Sequence, residues 1–526
     1  MSVTRKIAKG SAILIAGSAL GYLLALSKEV LVAARYGVGP QMDAYYAAVT
    51  VPSLITNVLI AAFTAIFIPV FAGYQARTPE SARKVSNVFI TYLLVFLSVS
   101  TAALFLASGP LIRVCFPGFS PATAGIAAKL LGQLSWLVLL SGGVGISMGI
   151  LSVHKDFTSQ AFAPLFVTLA IMIFVIFFGA QLEVFALSWG LVAGVLAEFL
   201  FLLAFVYRKG FRFSPDFDYR SPEMQQVLVL ILPFLIGSAI GQLNLVVDRF
   251  MASGLDSGSI AALGYADKLV HVPTQVFNAS LTTAAFPFFA ALVAENNIDE
   301  LKTTLASLVR IAAFVLIPVT VMLMLMSGSI IRLLFERGAF TPAATTLTSL
   351  TFMMFALQLF FTAAEVLLIR IFLALKEMKV IVVLTAFSVV LNVVFNLLLV
   401  RVVTPPVAGI ALSTSLVEAI SMFALFYFLR RKIGPLHTLR MLEGVKKISF
   451  ASLLTAAAAV PFYKLAIGAC AAQGFAVRAA VLTGFALAWT AVFFWVCHLL
   501  KLEETDKINK LVLSKFSVQK SPATSL

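Results

Sequence analysis

Charge is scarce in this sequence. Asp, Glu, Lys and Arg make up 12% of its 526 residues, where a soluble domain carries about 25%. Its three cysteines, Cys115, Cys470 and Cys497, lie far apart. That spacing excludes a disulfide-stapled scaffold and a cysteine metal cluster, and it leaves the redox compartment unread. The four histidines, His154, His271, His437 and His498, are scattered with no HExxH pair, so a zinc-hydrolase site is excluded as well. No GxxxxGK[ST] loop occurs, so ATP does not drive this chain. Gly142, Gly143, Gly145 and Gly149 follow no strand and read as a face for close helix packing. The alternation of an outer-membrane barrel is missing too. Nothing in these residues calls for a metal, a cofactor or enzymatic chemistry.

Hydrocarbon is abundant instead. Apolar residues make up 61% of the chain and the mean hydropathy is +1.03. No soluble core could hide so much, so the bilayer is the solvent for most of the chain. Long apolar stretches fall near 11–34, 43–73, 86–112, 124–153, 158–182, 184–207, 226–252, 259–293, 303–332, 343–373, 380–402, 406–429, 448–468 and 475–500. The expected fold is an all-α polytopic membrane protein of fourteen transmembrane helices.

An even number of spans puts both termini on one side. With that side cytoplasmic, most of the 38 Lys and Arg fall on inner loops and tails. The outer loops then hold only Arg35, Arg113, Arg332, Arg337, Arg401 and Arg478. The positive-inside rule therefore places both termini in the cytoplasm of a multi-pass membrane protein. The formal charge of +15 is mainly a topology signal, and nucleic acid is not an expected partner. The basic start and apolar run Ser11–Leu26 imitate a signal peptide, but the same segment recurs later, which argues against cleavage.

The recurrence is general, at an offset of about 220 residues. Gly17-Ser18-Ala19-Leu20-Gly21 returns as Gly237-Ser238-Ala239-Ile240-Gly241, and Ser108–Phe116 (SGPLIRVCF) as Ser327–Phe335 (SGSIIRLLF). Each copy of the latter precedes an aromatic-hydroxyl-proline-alanine turn, Phe119-Ser120-Pro121-Ala122 and Phe340-Thr341-Pro342-Ala343. Two pseudo-symmetric six-helix bundles follow, 1–208 and 226–430. Residues 431–500 add an interfacial amphipathic segment and helices thirteen and fourteen, and 501–526 form a cytoplasmic tail. Even-numbered halves share one orientation, and transporters so built bind substrate near the midplane and alternate access. The last helix pair reads equally well as a scaffold or as a support for a lipid tail.

A charge within the membrane costs about 2.5–3.5 kcal/mol and needs a partner or a wet cavity. Arg310 and Lys464 can snorkel to the interfaces, and Glu365 and Arg370 can pair with each other or with a neighbouring helix. Lys129, Glu198 and Glu418 also lie within spans, and the other charges gather at the start of each bundle: Lys28, Glu29 and Asp43 in the first, Asp248, Arg249, Asp267, Lys268 and His271 in the second. Gln242, Asn244, Gln275 and Asn278 add uncharged polar groups there, and Tyr45 and Tyr265 match across the repeat. Such a polar cavity, with Lys28, Arg249 and Lys268 as its cations, suits a phosphate-bearing head, and Lys28, Asp43, Lys268, Arg249, Glu29 and Asp267 are the substrate-binding candidates. An ion-pair lock between the halves is the structural alternative, in which Asp43 holds a cation while the cavity is empty.

Lys28-Glu29-Val30, Asp43-Ala44-Tyr45-Tyr46 and Val51-Pro52 resemble the opening of the MurJ/MviN family of lipid II flippases. Val247–Pro273, Leu333–Thr341 and Ile369–Lys379 are similar to further family segments. The family belongs to the multidrug/oligosaccharidyl-lipid/polysaccharide exporter superfamily. The resemblance implies movement of undecaprenyl-diphosphate-linked peptidoglycan precursor between leaflets, with other cell-wall synthesis proteins as partners. It implies cavity cations for the diphosphate and sugar, and a groove by helices thirteen and fourteen for the lipid tail. Lys28 and Lys268 stand where the family has arginines, Asp43 on the family aspartate, and Tyr22 and Thr56 where two more arginines are expected. Lysine keeps the charge but loses the bidentate fork. A flippase for another polyprenyl-diphosphate glycan, or a drug or ion antiporter of the same superfamily, is the alternative reading.

Overall fold

The computed structural model describes residues 21–62, 79–154, 156–218, 222–277, 283–436, 438–470 and 473–505. Among the described residues every regular element is a helix, as backbone polar groups without water require. The basic start at Arg5, Lys6 and Lys9, and Lys155, His437, Asn278 and the tail beyond 505 lie outside them.

The chain divides into two compact units, Met1–Gly264 with Phe335–Ala344, and Tyr265–Leu334 with Thr345–Leu526. The first carries α1 (21–36), α2 (Pro40–Ala62), α3 (Pro79–Leu106), α4 (Ser108–Cys115), α5 (Pro121–Leu134), α6 (Trp136–Val153), α7 (Phe157–Phe162), α8 (Pro164–Leu182), α9 (Phe185–Arg208), α10 (Pro222–Ser253) and the first turns of α11 (Ser259–Phe277). The second carries the rest of α11, α12 (Thr283–Ala294), nearly all of α13 (Ile298–Phe335) and α14 (Pro342–Ala356), then α15 (Leu359–Ala374), α16 (Met378–Val402), α17 (Pro406–Ile433), α18 (Thr438–Cys470) and α19 (Phe475–Leu499). Ten described helical segments are long and apolar enough to cross a membrane, or up to 11 with α14 and α15, bent by 40°, taken as one span.

The repeated turns are helix starts. Ser120 Oγ accepts the Thr123 N–H at 3.2 Å and Pro121 opens α5. Thr341 Oγ1 likewise accepts the Ala344 N–H at 3.2 Å ahead of α14. A hydroxyl N-cap followed by proline at the first helical position explains why both copies keep that order. The preceding repeat diverges for an equally local reason. Pro110 has no N–H for the Leu106 carbonyl, so α3 ends at Leu106 and α4 restarts. Ser329 holds the matching place, and α13 runs unbroken for 38 residues.

Close packing in the first unit rests on glycine. A Cβ on Gly142 would meet the Leu97 side chain at 2.3 Å, and one on Gly143 the Phe199 ring at 2.7 Å. The segment after α9 lies along α3, held by Ser214 N–H on Asn87 Oδ1 at 3.3 Å, Asp216 N–H on Thr91 Oγ1 at 3.1 Å and Lys84 on Asp218 at 2.8 Å. At the same end Lys209 binds Asp156 at 3.1 Å. Burial works against the Asp156 carboxylate, but the Lys209 ammonium and the Ser159 N–H and hydroxyl outweigh it and hold its pKa below the ordinary value.

In the second unit the basic segment at 430–447 is not a separate interfacial element. From Thr438 it is continuous with the next span in one 33-residue helix, α18. Leu442, Val445, Ser449 and Leu453 keep one helical face across the expected joint, so nothing breaks the period there. Arg310 does not snorkel. It is 9% exposed, bound to Glu503 at 3.1 Å and to the buried Glu504, over Gly444, whose Cβ would meet Arg310 Nε at 2.9 Å. Arg310→Met would strand Glu504 without its cation. A loss of about 3–5 kcal/mol is expected, read as a lower unfolding temperature of the detergent-solubilised protein.

Candidate functional site

Asp43, Tyr46, Thr50 and Asn57 recur on α2 at helical spacing and share one face. That face carries a polar seam within the first unit. Asp43, 5% exposed, accepts the Gly258 N–H on Oδ2 and the Ala261 N–H on Oδ1, the latter at 2.8 Å. It thereby caps α11 from another helix, with the carboxylate at the positive end of the helix dipole. One step along, Arg249 Nη1 donates to the Tyr46 carbonyl at 2.8 Å and to Thr50 Oγ1, with its guanidinium 5.8 Å from the Tyr46 ring centre. Further along, Asn57 Nδ2 meets Gln242 Oε1 at 3.4 Å. Gly264 lets α11 approach, since a Cβ there would lie 2.8 Å from the Tyr46 ring.

The Asp43 end of this seam is closed by loops. The Ala339 N–H donates to the Ala34 carbonyl at 2.8 Å. Gly37 (φ +63°) and Gly338 (φ +58°) sit in left-handed conformations with no room for a side chain. A Cβ on Gly37 would come within 2.2 Å of the Ala339 carbonyl oxygen, and one on Gly338 within 2.2 Å of that of Ala34. Gly37→Val is therefore expected to pry this end open. Thiol labelling of a cysteine placed at the fully buried Ala262 should then rise severalfold over the same cysteine without it.

Lys28 and Glu29 pair with each other at 2.8 Å, with side chains 20% and 9% exposed. Buried Tyr45 lies within electrostatic reach of Glu29 and Arg249. The first unit thus sets Asp43 and Arg249 on one seam and pairs Lys28 with Glu29 on α1. Asp43 is not held by a cation, because backbone amides at a helix start occupy both its oxygens. In the second unit Asp267 pairs with His271 at 3.1 Å, and Lys268, one residue along the same helix, has interactions of its own. Glu365 contacts Glu418, not Arg370, while Arg370 lies 5.8 Å from the Phe286 ring centre and Thr362 donates to Glu418 at 3.1 Å. Thr56, at an expected arginine position, is 8% exposed and donates to the Ser53 carbonyl. Sequence reasoning missed Tyr46, Thr50 and the Gly258 amide. Of these only Thr50 carried a visible signal, one helical turn from Tyr46 on an otherwise apolar stretch.

The second unit also holds an apolar cavity of about 590 Å³ along α13, α17 and α18, lined by Val309, Met324, Phe360, Phe423, Leu442 and Leu453 among others.

The family model described as lipid II flippase MurJ matches residues 32–485. The chain belongs to the MurJ family. That match covers Asp43, Arg249, Asp267 and Lys268, and begins just after Lys28 and Glu29. A probable lipid II flippase MurJ of Rhizobium tropici is 31% identical over 455 residues, 82% of each chain. The probable MurJ of Rickettsia prowazekii is 25% identical over 499 residues, 93% of this chain and 96% of its own. The fold is similar to a solved lipid II flippase MurJ in an inward closed conformation, with TM-score 0.76 at 21% identity over 92% of this chain and 99% of that one. It is also similar to an inward-facing multidrug resistance MATE transporter of the MOP superfamily, with TM-score 0.62 at 17% identity over 78% and 94% of the two chains. At these identities the likeness is one of fold.

Proposed function

We propose that this protein moves lipid II, the undecaprenyl-diphosphate-linked peptidoglycan precursor, from the cytoplasmic to the outer leaflet of the bacterial inner membrane. The MurJ family match over residues 32–485 carries the reading. On this reading fourteen helices form two six-helix bundles, 1–208 and 226–430, followed by helices thirteen and fourteen, with both termini cytoplasmic. The Asp43 end then faces outward, and its loops and seam keep that end shut while the head enters from inside. Lys28 and Lys268 take the diphosphate in a cation-lined central cavity, with Arg249 recruited when it leaves Tyr46 and Thr50. Glu29 and Asp267 hold charge balance when no substrate is bound. The cavity along α13, α17 and α18 takes part of the prenyl tail, whose chemistry its apolar lining matches. Opening the seam and closing the inner end carries the head across, and other cell-wall synthesis proteins use it there.

An inside-negative potential favours this direction by about 2.3 kcal/mol per charge per 100 mV. Tyr22 and Thr56 in place of two family arginines, and lysine at both remaining cation positions, favour a second reading: another polyprenyl-diphosphate glycan as cargo. A leaflet-accessibility assay in proteoliposomes with each lipid separates the two. Selective exposure of lipid II is the expected result, selective exposure of the other glycan lipid would establish the second reading, and exposure of neither would remove both.

A further inference from the structure

A second polar pocket in the first unit plays no part in that mechanism. Its volume is about 670 Å³, and α5, the end of α8 and the start of α9 line it through Lys129, Gln133, Gln181, Glu183 and Trp189, with Phe105 from α3 at its edge. On the topology proposed above it opens at the level of the outer headgroups. Its apolar edge is exposed, with Phe105 at 56% and Trp189 at 41%, as suits a lipid-facing interface. Lys129 is one of the intramembrane cations that no pairing explains.

The polar groups are set up to receive a ligand. Gln133 accepts from the Ser188 hydroxyl, which it shares with the Phe185 carbonyl, and its NH2 has no protein acceptor among the described residues. Among the described residues the Lys129 ammonium, the Gln181 amide and the Trp189 indole N–H also lack a protein acceptor. Against these donors stands one carboxylate. Glu183 adopts φ +48°, a left-handed conformation that a side chain rarely takes without support. The support is present: the Tyr36 hydroxyl donates to its carbonyl at 2.9 Å, and Gln41 Nε2 to Oε2 at 3.0 Å. Glu183 Oε1 remains open.

We infer that this pocket binds the headgroup of a zwitterionic aminophospholipid, phosphatidylethanolamine in chemical class. Lys129 and the amide donors take the phosphate, and Glu183 takes the ammonium. A cation and a carboxylate in one donor-rich pocket match a head that carries a phosphate and an amine. A glycerol head offers Glu183 no positive charge. A choline head offers a charge but no N–H to donate.

Native mass spectrometry of the purified, delipidated full-length protein tests this with short-chain phosphatidylethanolamine, phosphatidylglycerol and phosphatidylcholine. The ethanolamine lipid is expected to bind about tenfold more tightly than the other two. Lys129→Gln should weaken retention of all three by about tenfold. Glu183→Gln, which keeps an acceptor for Gln41, should erase the preference for ethanolamine and leave phosphatidylglycerol binding intact. Equal binding of the three lipids by the wild type, or full ethanolamine-lipid retention by Lys129→Gln, would overturn the assignment. So would displacement of the lipid by inorganic phosphate at equal concentration, which would make free phosphate the ligand. None of these readings depends on lipid II transport.

Discussion

Asp43→Ala is expected to abolish lipid transport in a protein that still inserts and folds. The carboxylate is buried and both its oxygens serve amides at the start of α11. Removing it leaves those N–H groups without their acceptor, at a cost of about 1–3 kcal/mol, and the favourable charge at the helix N-terminus goes with it. That cost falls on the state in which the seam is closed, so it is well short of a whole domain's stability of about 5–15 kcal/mol. An equilibrium shift of about tenfold to a hundredfold away from the closed seam follows. The measurement is modification of Ala262→Cys, in a chain with the native cysteines replaced, by an impermeant thiol reagent applied outside. Labelling should accelerate in the Asp43→Ala background while lipid II exposure falls to the protein-free level. Asp43→Asn keeps one acceptor oxygen without the charge and should fall between. Unchanged labelling together with normal transport in Asp43→Ala would show that the seam does not gate.

Charge reversal at Lys28 or Lys268 is the second large effect. A phosphate held by a charge-assisted hydrogen bond contributes about 1.5–3 kcal/mol, so even neutralisation to Gln should weaken head binding by about tenfold to a hundredfold. Reversal to Glu adds repulsion and should stop transport. The Lys28–Glu29 pair sharpens the test. In the structure the ammonium is already occupied by its neighbour at 2.8 Å, so substrate must compete with Glu29 for it. Glu29→Gln removes the competitor, and is expected to tighten lipid II binding while slowing turnover, because nothing then reclaims Lys28 after release. Binding by titration and flipping in proteoliposomes separate the two effects. Normal flipping by both reversed variants would remove the cationic-cavity proposal.

The membrane class and helical fold were legible because hydropathy and backbone satisfaction depend only on composition and run length. The repeat was legible too, and it pointed to Ser120-Pro121 and Thr341-Pro342, whose shared chemistry is that of a helix start. Partners were harder to read. Asp43 looked like a mate for a cation, because a sequence displays side chains and not the backbone amides that Gly258 and Ala261 present. Arg310 looked like a snorkelling residue because its partners, Glu503 and Glu504, lie nearly 200 positions away in what read as a tail. The segment before residue 448 read apart from the next span for a further reason: its basic residues changed its polarity without changing its helical period. Lys28, Glu29, Asp267 and His271 stood out in the sequence as charges that cost too much in lipid to be there without a partner, and Lys28–Glu29 and Asp267–His271 are paired. Their pairwise order was not legible.

The central claim is that the diphosphate head travels past Lys28 and Lys268. The most direct test is photocrosslinking with lipid II carrying a photoreactive group next to the diphosphate, followed by peptide mapping of the labelled full-length protein. Adducts are expected on the α1 peptide around Lys28 and the α11 peptide around Lys268, both lost in Lys28→Glu/Lys268→Glu. Adducts confined to lipid-exposed faces such as those of α8 and α16, and unchanged in that variant, would contradict it.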